Sequence, residues 1–519
     1  MKTLNELLSA VTVVSRSGRL SALDQKIRGL TSDSRKVEKG TVFVALEGTD
    51  QDGHRFVMDA CARGCIAVVI ENDIEVPANT PVFQVKDSHR AYGQMAAEFY
   101  GHPGREMTVI GLTGTNGKTT TSWIIERMLK EAGKKTGVIG TVNYRFTGPE
   151  GRDVVRDASL TTPEPLELQQ LLREMADSGV TDVIIEVSSH ALAQQRLAGL
   201  LFDVGVFTNL SRDHLDYHHS MEEYFDSKCR LFLEFLKNEG IAVVVVDSVP
   251  QGKKGLHVDW NRRLVLLLQK NGFLRFGEGR KNRSYITCGF DRSCIVSAHE
   301  PVQSITGFAS RIFMRGRSLN LKSRLIGRHN ALNMLAAAGA GLGTGMKMEA
   351  VTLGLCGVDR IPGRLERVAL PPYGAGNNGP YVFVDYAHTP DALENVLRTL
   401  RQVTSGRLIC IFGCGGNRDR GKRILMGKVA GRLADRILVT SDNPRKEDPL
   451  TILMEIEQGL RQIGVDKTDV SRLLDKETAE PEYAVLEDRR QAIHTICALA
   501  ESTDVVLIAG KGHETYQIT

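Results

Sequence analysis

The segment Gly111-Leu-Thr-Gly-Thr-Asn-Gly-Lys-Thr119 sets glycines, a lysine and a threonine where backbone N–H groups, an ammonium and a hydroxyl could surround a phosphate chain. It follows the apolar run Met107 to Leu112 and opens a helix-forming run, Thr119 to Ala132. In that strand–loop–helix context the helix dipole and unpaired N–H groups face an anion. Gly114, Thr115, Asn116, Gly117, Lys118, Thr119 and Thr120 are therefore expected to hold ATP, with Lys118 at the terminal phosphates and the Thr119 hydroxyl on Mg²⁺. The strict G-x-x-x-x-G-K-[ST] spacing fails, because Leu112 occupies the first glycine position. An ordinary strand-to-helix turn is the plainer reading, but strand, loop and helix all agree with the phosphate loop.

Further groups with chemical potential fall at the ends of apolar runs. Glu186 sits within Val183 to Val187, and His214 lies in the polar stretch after Val204 to Thr208; both are placed to hold a metal at the loop, with Asp213 and Asp216 as alternatives or supporting partners. A histidine capping a loop turn is the plainer reading of His214. Asp442-Asn443-Pro444-Arg445 follows Ile437 to Ser441, and an arginine fork there could pair bidentately with a carboxylate.

Positioning these groups requires α/β architecture. Short apolar runs at Thr41 to Leu46, Ala67 to Ile70 and Val82 to Val85 alternate with helical stretches until the turn cluster Gly101-His-Pro-Gly104, which reads as a linker. From Met107 a doubly wound parallel sheet is expected, with strands at 107–112, 183–187, 204–208 and 241–247. The stretch 251–283 is charged and irregular and reads as an insertion or weakly ordered region. A helix of small residues, Ala331 to Leu342, precedes the boundary Ile361-Pro-Gly363, and a third α/β unit follows with strands at 382–385, 408–413, 437–441 and 505–509.

Composition narrows the class. At about 150 residues per domain, 519 residues predict three or four domains, and 42% hydrophobic content supplies several cores. Lysine plus arginine exceed aspartate plus glutamate only as 66 to 62, too balanced to suggest a nucleic-acid binder. Nine cysteines without a C-x-x-C pair indicate neither a disulfide framework nor a zinc ribbon and fit a reducing cytoplasm. No apolar run approaches the ~18 residues of a membrane span, and the N-terminus lacks the pattern of a secretory signal.

The loop T-G-T-N-G-K-T-T resembles that of the Mur ligase family, ATP-dependent amide ligases of peptidoglycan precursor synthesis. Glu186-Val-Ser-Ser-His190, Thr208-Asn-Leu-Ser-Arg-Asp-His-Leu-Asp-Tyr-His218, Asp385-Tyr-Ala-His-Thr-Pro-Asp391, Gly413-Cys-Gly-Gly-Asn-Arg-Asp-Arg-Gly-Lys-Arg423, Asp442-Asn-Pro-Arg445 and Gly510-Lys-Gly-His-Glu514 follow in the family's order. The resemblance spans residues 33 to 514. It implies an N-terminal α/β UDP-sugar domain (1–107), a central P-loop ATP-binding domain (108–362) and a C-terminal Rossmann-like amino-acid-binding domain (363–519).

The activity it implies is attachment of meso-diaminopimelate to the D-glutamate side-chain carboxylate of UDP-MurNAc-L-Ala-D-Glu through an acyl phosphate, using ATP and Mg²⁺. Thr119, Glu186, His214 and Lys228 match metal-site positions, and Lys228 matches a lysine converted by CO₂ to a carbamate; a solvated helix lysine is the plainer alternative. Asn330, Arg364 and Asp385 resemble nucleotide contacts. Asp33-Ser34-Arg35, Thr49, Asp50 and Gln51 match the uridine and diphosphate side, and Thr161, Thr162, Ser188, Gln194 and Arg196 match further contacts of that substrate. Arg418, Asp442, Asn443, Pro444, Arg445, Gly510 and Glu514 match contacts to the amino acid. A cytoplasmic monomer with small-molecule partners, and neither nucleic acid nor membrane, is expected.

Two departures from the family pattern stand out. Its Asn-x-Asp-Asp after the strand at 241–246 is Val-Val-Asp-Ser248 here, and the chain stops at Thr519, where members usually continue, so a short third domain or a truncated chain is expected. Competing readings are a lysine-adding ligase of the same family and a folylpolyglutamate synthetase, which normally lacks a D-S-R domain before the loop. A P-loop switch or motor, and a non-catalytic binding protein, complete the alternatives.

Overall fold

The computed structural model describes residues 2–18, 23–48, 51–215, 217–247, 258–278, 282–369, 379–475, 480–514 and 516–518. They form three sheets, each flanked by helices. The first has five strands in the order Val13–Ser17, Val82–Val85, Ala67–Ile70, Thr41–Val44, Gly29–Thr31, parallel except for the first. Its strands Thr41–Val44 and Ala67–Ile70 are buried at every residue. Full burial on both faces explains why they read as continuous apolar runs rather than alternating ones.

The second sheet has a parallel centre in the order Ser284–Gly289, Leu236–Val245, Phe202–Phe207, Thr108–Thr113, Asp182–Glu186, Thr136–Ile139. Antiparallel ribbons extend both edges: Asn143–Thr147 with Asp153–Asp157, and Val296–Ala298 through Arg317–Ser323. The wholly parallel sheet expected from sequence is thus corrected at its rims. One signal was present. Arg315 (φ 51°) and Gly316 (φ 71°) form a two-residue turn between Met314 and Arg317, the positive-φ geometry that matches strand twist in a hairpin.

The third sheet runs Glu366–Arg367, Tyr381–Asp385, Val505–Ala509, Leu408–Phe412, Arg436–Val439, Glu482–Val485, Asp466–Lys467, parallel apart from its first strand. The four strands whose loops carry the chemical motifs are neighbours, so those loops emerge side by side at the carboxyl ends, where open α/β sheets bind ligands.

The reading of 251–283 as irregular is also corrected. Residues 251–257 and 279–281 lie outside the described residues, but Trp260–Lys270 is a helix capped by Asp259, whose side chain accepts from Arg262 N–H. Trp260, Leu264 and Leu268 recur every four residues and are buried against the sheet. The charges between them, Arg262 and Arg263, occupy other faces of an amphipathic helix, and their density masked its apolar stripe.

The small-residue helix forms as Arg328–Gly343 and lies flat on the central sheet. A Cβ on Gly339 would come within 2.6 Å of Cys288 Sγ and 2.7 Å of Val243 Cγ1, so the small side chains set the approach. Among the described residues no helix is long and apolar enough to cross a membrane. All nine cysteines are free thiols.

The turn at 101–104 is a packed joint rather than an open linker: Pro103 and Gly104 are buried, and a Cβ on Gly104 would meet Leu200 Cδ1 at 2.4 Å. Beside it the helix Ser88–Phe99 rests on residues 198–199, where a Cβ on Gly93 would lie 2.7 Å from the Ala198 Cβ. Substituting leucine for Gly93 should wedge the first sheet away from the second. The expected outcome is faster tryptic cleavage after the exposed Arg105, with far-ultraviolet circular dichroism retained; an unchanged cleavage rate would show that this contact does not hold the joint.

Candidate functional site

The strand Thr108–Thr113 lies at the centre of the second sheet and delivers its loop to the helix Lys118–Glu131. Gly114 (φ 143°) and Gly117 (φ 88°) take conformations that side chains disfavour, and a Cβ on them would strike Thr208 Oγ1 at 2.0 Å and Asn333 Oδ1 at 2.3 Å. The loop is tied down from outside. Asn116 N donates to Asn209 Oδ1 at 3.0 Å, Asn209 Nδ2 donates to Asn116 O at 3.0 Å, and Thr208 Oγ1 donates to the same carbonyl at 2.6 Å. The N–H groups of the first helical turn keep no intrahelical acceptor, which is what an anion-binding terminus requires.

Two lysines enter this loop from different helices. Lys118 Nζ donates to the Gly114 and Thr115 carbonyls at 2.8 and 3.1 Å, and Lys228 Nζ, from the helix Met221–Leu233, donates to Gly114 O at 3.1 Å. Burial lowers the pKa of Lys118, while Glu186 and Asp213 oppose the shift. Burial and the neighbouring Lys118 push Lys228 well below the ordinary lysine range. Its amine also lies 4.6 Å from the centre of the Tyr224 ring.

Glu186 ends the adjacent strand and is 1% exposed. Hydroxyls of Thr119 and Thr141 both donate to Oε2, at 2.9 and 2.8 Å, and no ion pair to this carboxylate occurs among the described residues. A buried carboxylate held only by hydroxyls, one of them at the start of the phosphate-loop helix, is a hard-oxygen donor set suited to Mg²⁺, which takes few protein ligands and completes its shell with water and phosphate oxygens. His214 (φ 52°) lies on the following loop with its ring 4.9 Å from that of His190 and Nε2 3.4 Å from Asp213 Oδ2. Among the described residues no three histidine, cysteine, aspartate or glutamate side chains converge on one ion position.

The central-sheet residues expected at the sugar substrate gather beside Glu186. Thr162 Oγ1 donates to the Glu186 carbonyl at 2.8 Å and accepts from Ser188 N at 3.0 Å, and Thr161 meets Thr141 at 3.1 Å. Arg196 binds Gln194 Oε1 at 2.9 and 2.7 Å, the Thr162 carbonyl at 3.0 Å and Glu164 at 2.9 Å. In the first sheet Ser34 is buried, Asp33 accepts both Arg35 Nε and Nη2 at 2.9 Å, and Gln51 is exposed. Burial pushes the Tyr92 phenol up to about 12, against the opposing effect of Ser32. Thr49, Asp50 and Asp216 lie outside the described residues.

The third sheet brings its own groups to the loop. Arg364 Nη2 donates to Thr119 Oγ1 at 3.3 Å, and its guanidinium lies 4.9 Å over Tyr386. Gly363 (φ 64°) permits this, since a Cβ there would be 2.4 Å from His513 N. Asp385 accepts Leu365 N and Ala387 N at 2.6 and 2.8 Å, tying the segment after Gly363 to its own turn, and Asn330 donates to Ile326 O at 2.7 Å at the start of its helix.

At the far end, Arg418 is exposed, and Arg445 Nη1 donates to Gly416 O at 2.9 Å and Asn443 O at 3.5 Å, with Nε and Nη2 forming no hydrogen bond among the described residues. Both arginines flank Gly415. Lys511 Nζ joins Asn443 Oδ1 (2.8 Å), Glu514 Oε2 (3.3 Å) and Asp442 Oδ1 (3.4 Å). Gly510 (φ 113°) leaves the strand beside Asp442.

Several participants escaped the sequence reading. Gly140-Thr141 follows a buried strand, and a Cβ on Gly140 would lie 2.3 Å from Glu186 Oε1, a strand-end signal that was available. Lys511 stands inside a quoted motif but received no role. His388, whose Nδ1 lies 2.8 Å from Tyr386 O, and His513 have lowered pKa values, chiefly from burial.

Comparison with known proteins gives concordant matches. Residues 26–100, 112–341 and 363–512 match the profiles described as Mur ligase family, catalytic domain; Mur ligase middle domain; and Mur ligase, glutamate ligase domain. The UDP-N-acetylmuramoyl-L-alanyl-D-glutamate--2,6-diaminopimelate ligase of Geobacter metallireducens is 42% identical over 515 residues, 99% of this chain and 94% of the relative. The Geobacter sulfurreducens ligase of the same name is 41% identical over 517 residues, 99% and 95% of the two chains. A solved structure of a ligase of that name superposes with a TM-score of 0.66 at 30% identity, covering 100% of this chain and 95% of the other.

Because Lys118 Nζ donates, among the described residues, to backbone carbonyls of its own loop alone, its loss should spare the fold. Lys118→Ala should weaken ATP binding by about 100-fold in calorimetric titration, with the melting midpoint little changed. Wild-type affinity in that variant would refute the phosphate role of the loop.

Proposed function

This chain belongs to the Mur ligase family, and on that premise we propose that it is the ATP-dependent ligase joining meso-2,6-diaminopimelate to the D-glutamate side-chain carboxylate of UDP-MurNAc-L-Ala-D-Glu in peptidoglycan precursor synthesis. The observation that carries the amino-acid choice is the Asp442-Asn-Pro-Arg445 loop, folded against Gly415 and Gly416 with part of its guanidinium open. Diaminopimelate differs from lysine by one carboxylate, and an arginine fork binds that group where lysine offers nothing. Asp442 and Glu514 supply charge for an ammonium, with Asn443, Pro444, Gly510 and Arg418 completing the site.

A carboxylate and an amine do not condense in water, so the glutamate carboxylate is first phosphorylated by ATP and the diaminopimelate amine then displaces phosphate. The first step brings two anions together. Lys118, Arg364 and the N–H groups of Gly114 to Thr120 neutralise and orient the triphosphate, and Asn330 and Asp385 shape the nucleoside side. Thr119, Glu186, His214 and a carbamate on Lys228 would hold Mg²⁺, which supplies further charge neutralisation between the reacting oxygens. Thr161, Thr162, Ser188, Gln194 and Arg196, with Ser34, Thr49, Asp50 and Gln51 of the first domain, bind UDP-MurNAc-dipeptide by hydroxyl and guanidinium donors. We assign this reaction to a cytoplasmic monomer.

The setting of Lys228 supports the carbamate: burial and the neighbouring Lys118 favour the uncharged amine, the form that can add to CO₂, losing a proton and placing a carboxylate beside Gly114. Bicarbonate should raise the activity of a CO₂-depleted preparation, and Lys228→Ala should be inactive. Ordinary turnover by that alanine variant would end the assignment.

Selectivity tests the whole reading. Losing one side of a buried charge-assisted pair costs roughly 2 to 5 kcal/mol, so Arg445→Ala should lower kcat/KM for diaminopimelate by roughly 30-fold or more while leaving poor lysine use nearly unchanged. The ratio is measured at saturating ATP and UDP-MurNAc-dipeptide. An equal fall for both amino acids would make Arg445 a support of the loop only.

A further inference from the structure

Arg423 has no solvent exposure, yet it lies in the amino-acid half of the molecule rather than in a hydrophobic core. Its Nη1 donates to Glu447 Oε2 at 3.0 Å and Glu455 Oε2 at 2.7 Å, and its Nη2 donates to Glu447 Oε1 at 3.0 Å and Gly415 O at 3.2 Å. The Arg423 pair holds the Glu447 carboxyl down at about 2. Arg420 binds the other oxygen of Glu455, so two arginines balance two glutamates.

The acceptors are what give the cluster meaning. Gly415 is three residues from Arg418, and Glu447 is two residues from Arg445. Glu447 Oε1 also accepts Asn417 N, Asn417 Oδ1 accepts Lys446 N at 3.0 Å, and Gly416 N donates to Asn443 O at 2.9 Å. Asn417 (φ 51°) and Arg445 (φ 55°) both adopt left-handed backbone, a cost that persists only where surrounding bonds fix it. Gly416 allows the loops to touch, since a Cβ there would lie 1.9 Å from Pro444 O.

We propose that Arg423 and Glu447 are positioning residues for amino-acid selectivity: their buried fork locks the 413–420 loop to the 442–447 loop and so fixes the spacing of Arg418 and Arg445, the groups that meet the second carboxylate of the substrate. The proposal rests on the diaminopimelate reading above. Stability alone does not explain the arrangement, because an apolar pair of similar volume would stabilise a buried joint as well without desolvating two charges. A planar five-donor fork instead sets distance and angle.

The test uses Glu447→Gln, which keeps one carbonyl acceptor on a partly exposed side chain, and Arg423→Lys, which keeps the charge but not the fork. Kinetic constants are measured for diaminopimelate, L-lysine, ATP and UDP-MurNAc-dipeptide, with hydrogen exchange of the amides at 415–418 and 443–447 followed without substrate. Both variants should raise KM for diaminopimelate about tenfold or more, lower its preference over lysine by a similar factor, leave KM for the other two substrates within about twofold, and speed exchange in both loops. Rescue by Arg423→Lys, a fall in kcat with every KM unchanged, or losses spread equally over all substrates would overturn it. If Arg423→Lys fails to fold, Glu447→Gln decides alone. Absence of diaminopimelate turnover in the wild type would sink the amino-acid reading, whereas unchanged loop exchange in Glu447→Gln would sink the clamp.

Discussion

One carbonyl oxygen, that of Gly114, receives hydrogen bonds from two lysine amines, at 2.8 Å from the half-buried Lys118 and 3.1 Å from the buried Lys228. Two ammonium ions cannot share a low-dielectric acceptor without strong repulsion, so the pair is stable only if one amine is neutral or an anion arrives. The site is therefore built for incoming negative charge. Glu186 forms no ion pair with either amine among the described residues; its carboxylate accepts from the Thr119 and Thr141 hydroxyls, and it acts on Lys118 only through its field. A polyphosphate satisfies Lys118 and the open N–H groups together, which is why the loop, the Glu186 strand and the Lys228 helix form one chemical unit.

That unit is only as well placed as the strands beneath it. Thr108–Thr113 is flanked in register by Asp182–Glu186 and Phe202–Phe207, so the loop, the carboxylate and the Asn209 anchor leave the sheet at one level. The third sheet repeats the device with Asp385, Gly413, Asp442 and Gly510 at the ends of neighbouring strands. Parallel pairing fixes which ends align, whereas the glycines fix how closely the loops approach. Bulk at Gly416 would collide with the Pro444 carbonyl, and bulk at Gly114 with the Thr208 hydroxyl, which its bond to Asn116 O holds in place.

Much of this was legible in the chain. Continuous apolar runs marked strands buried on both faces, and a polar cluster after each marked a ligand-facing loop. What stayed hidden has definite causes. The helix Trp260–Lys270 carries Arg262 and Arg263 between its apolar positions, so charge density obscured its period. The ribbons at the rim of the second sheet alternate weakly, with Arg317-Ser-Leu-Asn-Leu-Lys-Ser exposing most of its residues. Arg423 closes the Gly413–Arg423 motif, but nothing in the chain marks it as buried, since a surface-type residue becomes fully enclosed only when Glu447 and Glu455, far along the chain, close around it. Sequence order reveals which loops meet; it does not reveal which charged side chain is enclosed between them.

Arg364 joins the two halves of the chemistry. Its guanidinium donates to the Thr119 hydroxyl of the phosphate-loop helix while lying over Tyr386, just past the strand Tyr381–Asp385 of the third sheet, and the adjoining Gly363 packs on Gly512 and His513, at the foot of the loop that bears Glu514. The hydroxyl it occupies is also a partner of Glu186, so a nucleotide with its metal would compete with Arg364 for the same oxygen. Phosphate oxygens are the stronger acceptors for a guanidinium, and a bidentate Arg–phosphate contact exceeds a single bond to a neutral hydroxyl. Transfer of Arg364 from Thr119 to a phosphate would keep the third sheet attached to the loop rather than release it. Nucleotide occupancy and placement of the amino-acid loops are then coupled through one side chain, because Arg364 is held at the loop by whichever phosphate oxygens the bound nucleotide offers.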